Sequence, residues 1–302
     1  MKNLIIIAFC LLCILTSCGK GKTKKSIAIL TPVSHPSLEL IEKGFVETIE
    51  KQAPGKYRFT TYNGQGNKSL LRSEVEEISR KEFDLVLTIG TSPTQMITQV
   101  FSKKKLATPV VFTAVNVTEE LSGDFVTGVK EMLKFNEEIE ALISYKPNLS
   151  NILLVYNPAE PGLQKDRNEV SQILQKKRIA LTVIEVFQTN ELKAKVSPFL
   201  TNKDAVIVLK DNTVVAGIEV LSKLCNENKI PLMASDLDSP DRGAAFGFGV
   251  HESNFGIEAA KKALQILESG VLPDSIPITP VADFTLRINK QAAKAQGIEV
   301  LL

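Results

Sequence analysis

With 302 residues, 44% hydrophobic and 23% charged, the chain is long enough to bury cores in two lobes and too apolar for extended disorder. Its 36 basic and 34 acidic residues leave a formal net charge of +2, without the basic excess expected of a protein that binds nucleic acid. Two histidines and four cysteines give poor support to a multi-histidine metal centre or a disulfide framework.

The N-terminus comes first in chain order. Lys2 precedes an apolar run from Leu4 to Leu15, too short to span a bilayer comfortably, which predicts a signal peptide over residues 1–17. The run ends in Leu15-Thr16-Ser17-Cys18-Gly19, which resembles the lipobox of bacterial lipoproteins. Either Cys18 carries a lipid that holds the protein at a membrane, with residues 18–25 as a polar tether, or the signal is an ordinary one and Cys18 is incidental. Lys20, Lys22, Lys24 and Lys25 suit a solvated tether, or one that touches anionic headgroups. Cys10 and Cys13 fall inside the signal, and Cys225 shares an apolar helical face with Leu221 and Leu224, as a core residue would.

From Ser26 onward, short β-rich apolar runs alternate with amphipathic helical stretches, the pattern of parallel sheets with right-handed crossovers. Strands are predicted at Ser26–Leu30, Tyr57–Tyr62, Leu85–Ile89 and Val110–Thr113, with helices at Leu38–Gln52, Ser69–Arg80 and Ser92–Ser102 between them. A second series follows Val126–Val129. Its helices are Asn136–Tyr145, Leu163–Arg178, Leu192–Leu200 and Val214–Asn228, and its strands are Ile152–Tyr156, Ala180–Val186, Ala205–Leu209 and Leu232–Ala234. Gly243 to Gly249 reads as a strand or crossing segment, Ser253–Ser269 as a helix ended by Gly270, and Phe284–Ile288 as the last strand after an extended run spaced by Pro273, Pro277 and Pro280. The expected class is α/β, with two Rossmann-like lobes. Residues 26–116 plus 246–272 are assigned to lobe 1, and residues 117–245 plus 273–302 to lobe 2.

In open parallel sheets ligands lie beyond the carboxyl ends of the strands, so the polar loops that follow each strand are the candidate site. Gly90-Thr91-Ser92-Pro93 opens a helix whose free N–H groups suit a ligand carboxylate, although Thr91 or Ser92 as a plain cap explains the same residues. Asp211 and Asp236 lie after two strands of the second series, where they either pair with a ligand ammonium or cap the turns that follow them. Tyr62, Phe112 and Tyr156 are candidates to stack on an aromatic ligand or to sit in the core. Gly64-Gln65-Gly66 and Gly247-Phe248-Gly249 lack the third glycine and the strand-to-helix setting of a dinucleotide loop, and no P-loop is present.

Ser34-His35-Pro36-Ser37-Leu38, Asn63-Gly64-Gln65-Gly66, Ile89-Gly90-Thr91-Ser92, Pro109 to Val115, Tyr156-Asn157-Pro158, Asp211-Asn212-Thr213-Val214 and Ser235-Asp236 occur in an order that resembles the ABC transporter substrate-binding family, which includes the tryptophan/tyrosine-binding lipoproteins. The resemblance spans Ile27 to Ile298. It implies a type I periplasmic-binding-protein fold with three interlobe crossovers, no cofactor, no catalysis, and a small ligand, an aromatic amino acid, held as the lobes close. The implied ligand residues are His35, Gly90, Thr91, Ser92, Thr113, Asn157, Asp211, Asn212, Thr213 and Asp236. Crossovers are expected near Asn116, Phe246 and Pro273. The implied partners are an ABC permease and its ATPase, with the protein exported, lipid-anchored and monomeric. The sequence departs from the family pattern at Asn116-Val117-Thr118, where an Asp-Pro pair is common, and at His251, where an acidic residue is common.

Overall fold

The computed structural model describes residues 24–116, 121 and 123–299, so the expected signal peptide, Cys18 and the tether up to residue 23 lie outside the described residues, as do Val117 and Thr118. Among the described residues twelve strands, numbered in chain order, form two sheets of six. The first contains β1 (Lys25–Thr31), β2 (Tyr57–Asn63), β3 (Leu85–Ile89), β4 (Val110–Val115), β5 (Val126–Lys130) and β11 (Thr279–Pro280), in the order β11-β5-β4-β3-β1-β2, with every pairing parallel. The second contains β6 (Asn151–Tyr156), β7 (Ala180–Glu185), β8 (Ala205–Val208), β9 (Leu232–Ala234), β10 (Phe246–Gly249) and β12 (Thr285–Ile288), in the order β12-β10-β9-β8-β6-β7. Only the β10–β12 pairing in it is antiparallel.

The central strands are continuous apolar runs because helices cover both faces of each sheet. In the first lobe, α1 (Pro36–Gln52) packs on one face and α2 (Lys68–Ile78) and α3 (Thr91–Lys104) on the other. In the second, α4 (Phe135–Tyr145) and α5 (Leu163–Lys176) cover one face, and α6 (Leu192–Val196), α7 (Asn212–Ala216) and α8 (Ile218–Asn228) cover the other. The long α9 (Glu252–Ser269) returns to the first lobe and lies beside α1. That approach depends on Gly256, where a Cβ atom would stand 2.0 Å from the Ile41 carbonyl oxygen. The short α10 (Lys290–Ala295) closes the second lobe.

The strand pairings correct the expected lobe boundaries. Val126–Lys130 pairs with β4 and so belongs to the first lobe; Phe246–Gly249 pairs with β9 and β12 and belongs to the second; Thr279–Pro280 pairs with β5 and returns to the first. The chain therefore passes between the sheets at 131–134, 250–251 and 281–284, instead of near Asn116, Phe246 and Pro273. Two expected helices are interrupted. The stretch from Val214 to Asn228 breaks at Gly217, and the one from Leu192 to Leu200 tightens into a 3₁₀ turn at Ser197–Phe199, where Pro198 cannot donate to the helical ladder. No helix among the described residues is long and apolar enough to cross a membrane.

Candidate ligand-binding site

Strand order reverses between β1 and β3 in one sheet and between β6 and β8 in the other, and loops from these two switch points face each other. They enclose a cavity of about 40 Å³. The first lobe supplies Leu38, Gly90, Thr91, Ser92, Ala114 and Asn116, the first crossover supplies Glu131, and the second lobe supplies Glu160, Pro161, Leu163, Lys210 and Asn212.

On the first lobe, Gly90 precedes α3 with φ +88°, a left-handed conformation open to glycine, and turns the chain from β3 into the helix. Pro93 has no N–H, so the groups left unpaired by the helix geometry at this end are those of Thr91 and Ser92. The Thr91 hydroxyl donates to Asn116 Oδ1 at 2.8 Å and accepts from the Asn116 N–H at 3.3 Å, which fixes the end of β4 against the helix start. Ala114, just before, has φ +54° at a register shift in the β4–β5 ladder, a strained conformation on the cavity wall.

The second lobe presents α7 and the loop before α5. Glu160 accepts four hydrogen bonds, from Thr213 N–H (2.9 Å) and Oγ1 (2.7 Å) and from Asn212 N–H (3.2 Å) and Nδ2 (2.9 Å). Two side-chain contacts beside the cavity join the loops of the two lobes. Asn116 Nδ2 donates to Asp166 Oδ2 at 3.3 Å, and His35 Nε2 lies 3.3 Å from Asn212 Oδ1. The first is possible because position 162 is glycine, with φ +88°: a Cβ atom there would come within 2.5 Å of Asn116 Nδ2. Burial holds the His35 imidazole below the usual histidine range, so it is neutral, and its Nδ1 is buried without a hydrogen bond.

Behind the cavity is a buried cluster of charges that sequence reasoning missed. Lys210 Nζ stands 2.5 Å from Glu131 Oε1 and 2.9 Å from Glu252 Oε1, with a hydrogen bond of 3.1 Å to Glu252 Oε2, and lies 4.4 Å from the centre of the Phe255 ring. Burial alone would favour a neutral lysine, but the two carboxylates outweigh it and keep the ammonium charged. Burial pushes Glu252 up to about 8 in spite of Lys210, with Glu131 adding to the rise. Asp166 is pushed up to about 7 by burial and then by the charge of Glu131. The signal for Glu131 and Lys210 was their place one residue after β5 and two after β8, at the carboxyl ends of parallel strands.

Of the residues expected from sequence, Gly90, Thr91, Ser92 and Asn212 line the cavity, and His35 joins it through Asn212. The others hold the loops. Asp211 caps α7 through Thr213 and Val214 N–H and also accepts from Asn157 N–H. Asp236 accepts from Asp238 and Ser239 N–H and from Ser239 Oγ. Thr113 donates to the Phe255 carbonyl, and Asn157 bonds Thr213 Oγ1 and Ala159 N–H. Tyr62, Phe112 and Tyr156 are buried in the sheet cores, away from the cavity lining.

Comparison with known proteins agrees with this architecture. An uncharacterised protein of Rickettsia prowazekii is 29% identical over 91% of this chain and 86% of its own length. A tyrosine-binding protein of Clostridioides difficile is 25% identical over 93% and 83% of the two chains. The crystal structure of an ABC domain from Streptococcus pneumoniae in complex with L-Trp superposes with a TM-score of 0.83 at 23% identity, covering 92% of this chain and 96% of that one. Residues 26–301 match the sequence family described as ABC transporter substrate binding protein, a family of binding proteins that work outside the cytoplasm and not of enzymes, and the chain belongs to that family.

Proposed function

We propose that this protein captures an aromatic amino acid, tryptophan or tyrosine, between its lobes and presents it to an ABC permease and its ATPase, while a lipid on Cys18 keeps it at the membrane. The observation that carries the reading is the meeting of two sheet switch points in a cavity lined by the start of α3 on one side and a buried charge cluster on the other. A helix start with free N–H groups suits the ligand carboxylate, placed here at Thr91 and Ser92. The tyrosine-binding relative and the L-Trp complex support the aromatic side chain.

A cavity of about 40 Å³ has room for about three water molecules, less than an aromatic amino acid fills, so the lobes must stand further apart around such a ligand than they do here. A small aliphatic or polar amino acid, the second reading, would need the lobes to part less. The chain contains no tryptophan, so indole emission reports the ligand alone. Titration of a fragment starting at Lys20 with L-tryptophan, followed by fluorescence and thermal melting with L-tyrosine, L-alanine and L-serine as competitors, separates the two. Saturable blue-shifted emission displaced by tyrosine supports the aromatic reading, and displacement by alanine or serine alone supports the other. The anchor is tested by Cys18→Ala, which should move the protein from the membrane to the soluble fraction.

A further inference from the structure

We propose that Glu131 receives the ammonium group of the solute, so that the cleft selects compounds carrying a free amine beside their carboxylate. The inference rests on the interlobe cavity being the solute site. Two carboxylates line that cavity, Glu131 and Glu160. Both oxygens of Glu160 are filled by four donors from Asn212 and Thr213. Asp211 and Asp236 are engaged in the same way by backbone N–H groups and do not line the cavity. Glu131 differs. Its side chain is 7% exposed, and its Oε1 is paired with the Lys210 ammonium at 2.5 Å, not with the backbone N–H and side-chain donors that fill Glu160.

One ammonium, that of Lys210, stands between two buried carboxyl groups, Glu131 and Glu252. Ionisation of Glu252, and of Asp166 held against the cavity through Asn116, leaves the cluster with more negative charge than Lys210 balances, which favours a second cation beside Glu131. Lys210 already contacts both Glu131 and Glu252, which leaves it less free for a ligand carboxylate. That group is served on the opposite wall by the Thr91 and Ser92 N–H groups. The two walls thus complement a zwitterion.

The test compares L-tryptophan with indole-3-propionate, which keeps the ring and carboxylate but lacks the amine, on the wild type and on Glu131→Gln. Wild type should prefer L-tryptophan by about thirtyfold or more, and Glu131→Gln should lose that preference by weakening L-tryptophan and leaving indole-3-propionate unchanged or tighter. Equal binding of the two compounds by wild type, or L-tryptophan binding within about threefold of wild type in the variant, overturns the inference. Circular dichroism and melting confirm that the variant is folded; if it is not, the wild-type pair decides. If wild type binds neither tryptophan nor tyrosine, the aromatic reading falls, and the other L-amino acids are compared with their N-acetyl forms. Binding that is lost both on acetylation and in Glu131→Gln supports Glu131 as the ammonium partner. Capture of an amine-free carbohydrate, or of no amino acid, overturns it.

Discussion

Asp211 shows how a carboxylate in the right loop can be unavailable to a ligand. It follows β8, as a ligand residue should, yet its oxygens hold Thr213, Val214 and Asn157 N–H groups at 2.5 to 3.0 Å. Asp211→Ala should therefore lower unfolding stability by about 1–3 kcal/mol and shift solute affinity by less than about threefold, measured by urea unfolding and titration of the same preparation. Gly162→Ala makes the complementary case. Besides the strain of φ +88°, its methyl group would press on Asn116 across the cleft. A loss of about 1–3 kcal/mol is expected, with Asn116→Ser in the same chain recovering part of it; a full-strength double-variant defect would show that the contact with Asn116 plays no part. The capping role of Asp211 was visible in the sequence from Val214 two residues beyond Asn212. The pairing of Glu131 with Lys210 was not, because a lone lysine after a strand is ordinarily solvated and its partners lie 79 and 42 residues away in the chain.

At the scale of elements, the alternation of strands and helices was legible because buried parallel strands are continuous apolar runs and their crossover helices are amphipathic. Sheet membership was not legible. The pattern of Val126–Lys130 is the same whether it joins β4 or starts a new sheet, and only pairing with a distant edge strand of two residues, Thr279–Pro280, settles it. This is why the crossovers were expected in the wrong places. The correct positions put Glu131 in the first crossover and Glu252 just past the second, where Lys210 of the second lobe holds them both. The α1–α9 contact is equally particular. Gly256→Ala would drive a methyl group into the Ile41 carbonyl, and the helices must separate or bend. A loss of about 1–3 kcal/mol in chemical unfolding is expected, against less than about 0.5 kcal/mol for alanine at the exposed Lys261 of the same helix.

Across the whole molecule, the buried carboxyl groups set the dependence of stability on pH. Glu138, pushed up to about 8 by burial beside Ser235, joins Glu252 at about 8 and Asp166 at about 7, against values near 4 in the unfolded chain. Between those limits the native state holds more protons than the unfolded state, so stability falls as pH rises. His35 works in the opposite direction, but its contribution is complete above about 6.5, the unfolded histidine value. From about pH 6.5 to 8 the ligand-free protein should thus lose stability steadily in urea titrations, and Glu138→Gln should flatten part of that slope; a rise over this interval would contradict the burial of these acids as neutral groups.

The most direct measurement is a crystal structure of the fragment from Lys20 grown with L-tryptophan. The amino acid is expected between the lobes, its carboxylate at the start of α3, its ammonium at Glu131, and the lobes wider apart than in the present structure. Ligand density elsewhere on the molecule, or a ligand turned with its ammonium toward Thr91 and Ser92, would contradict this expectation.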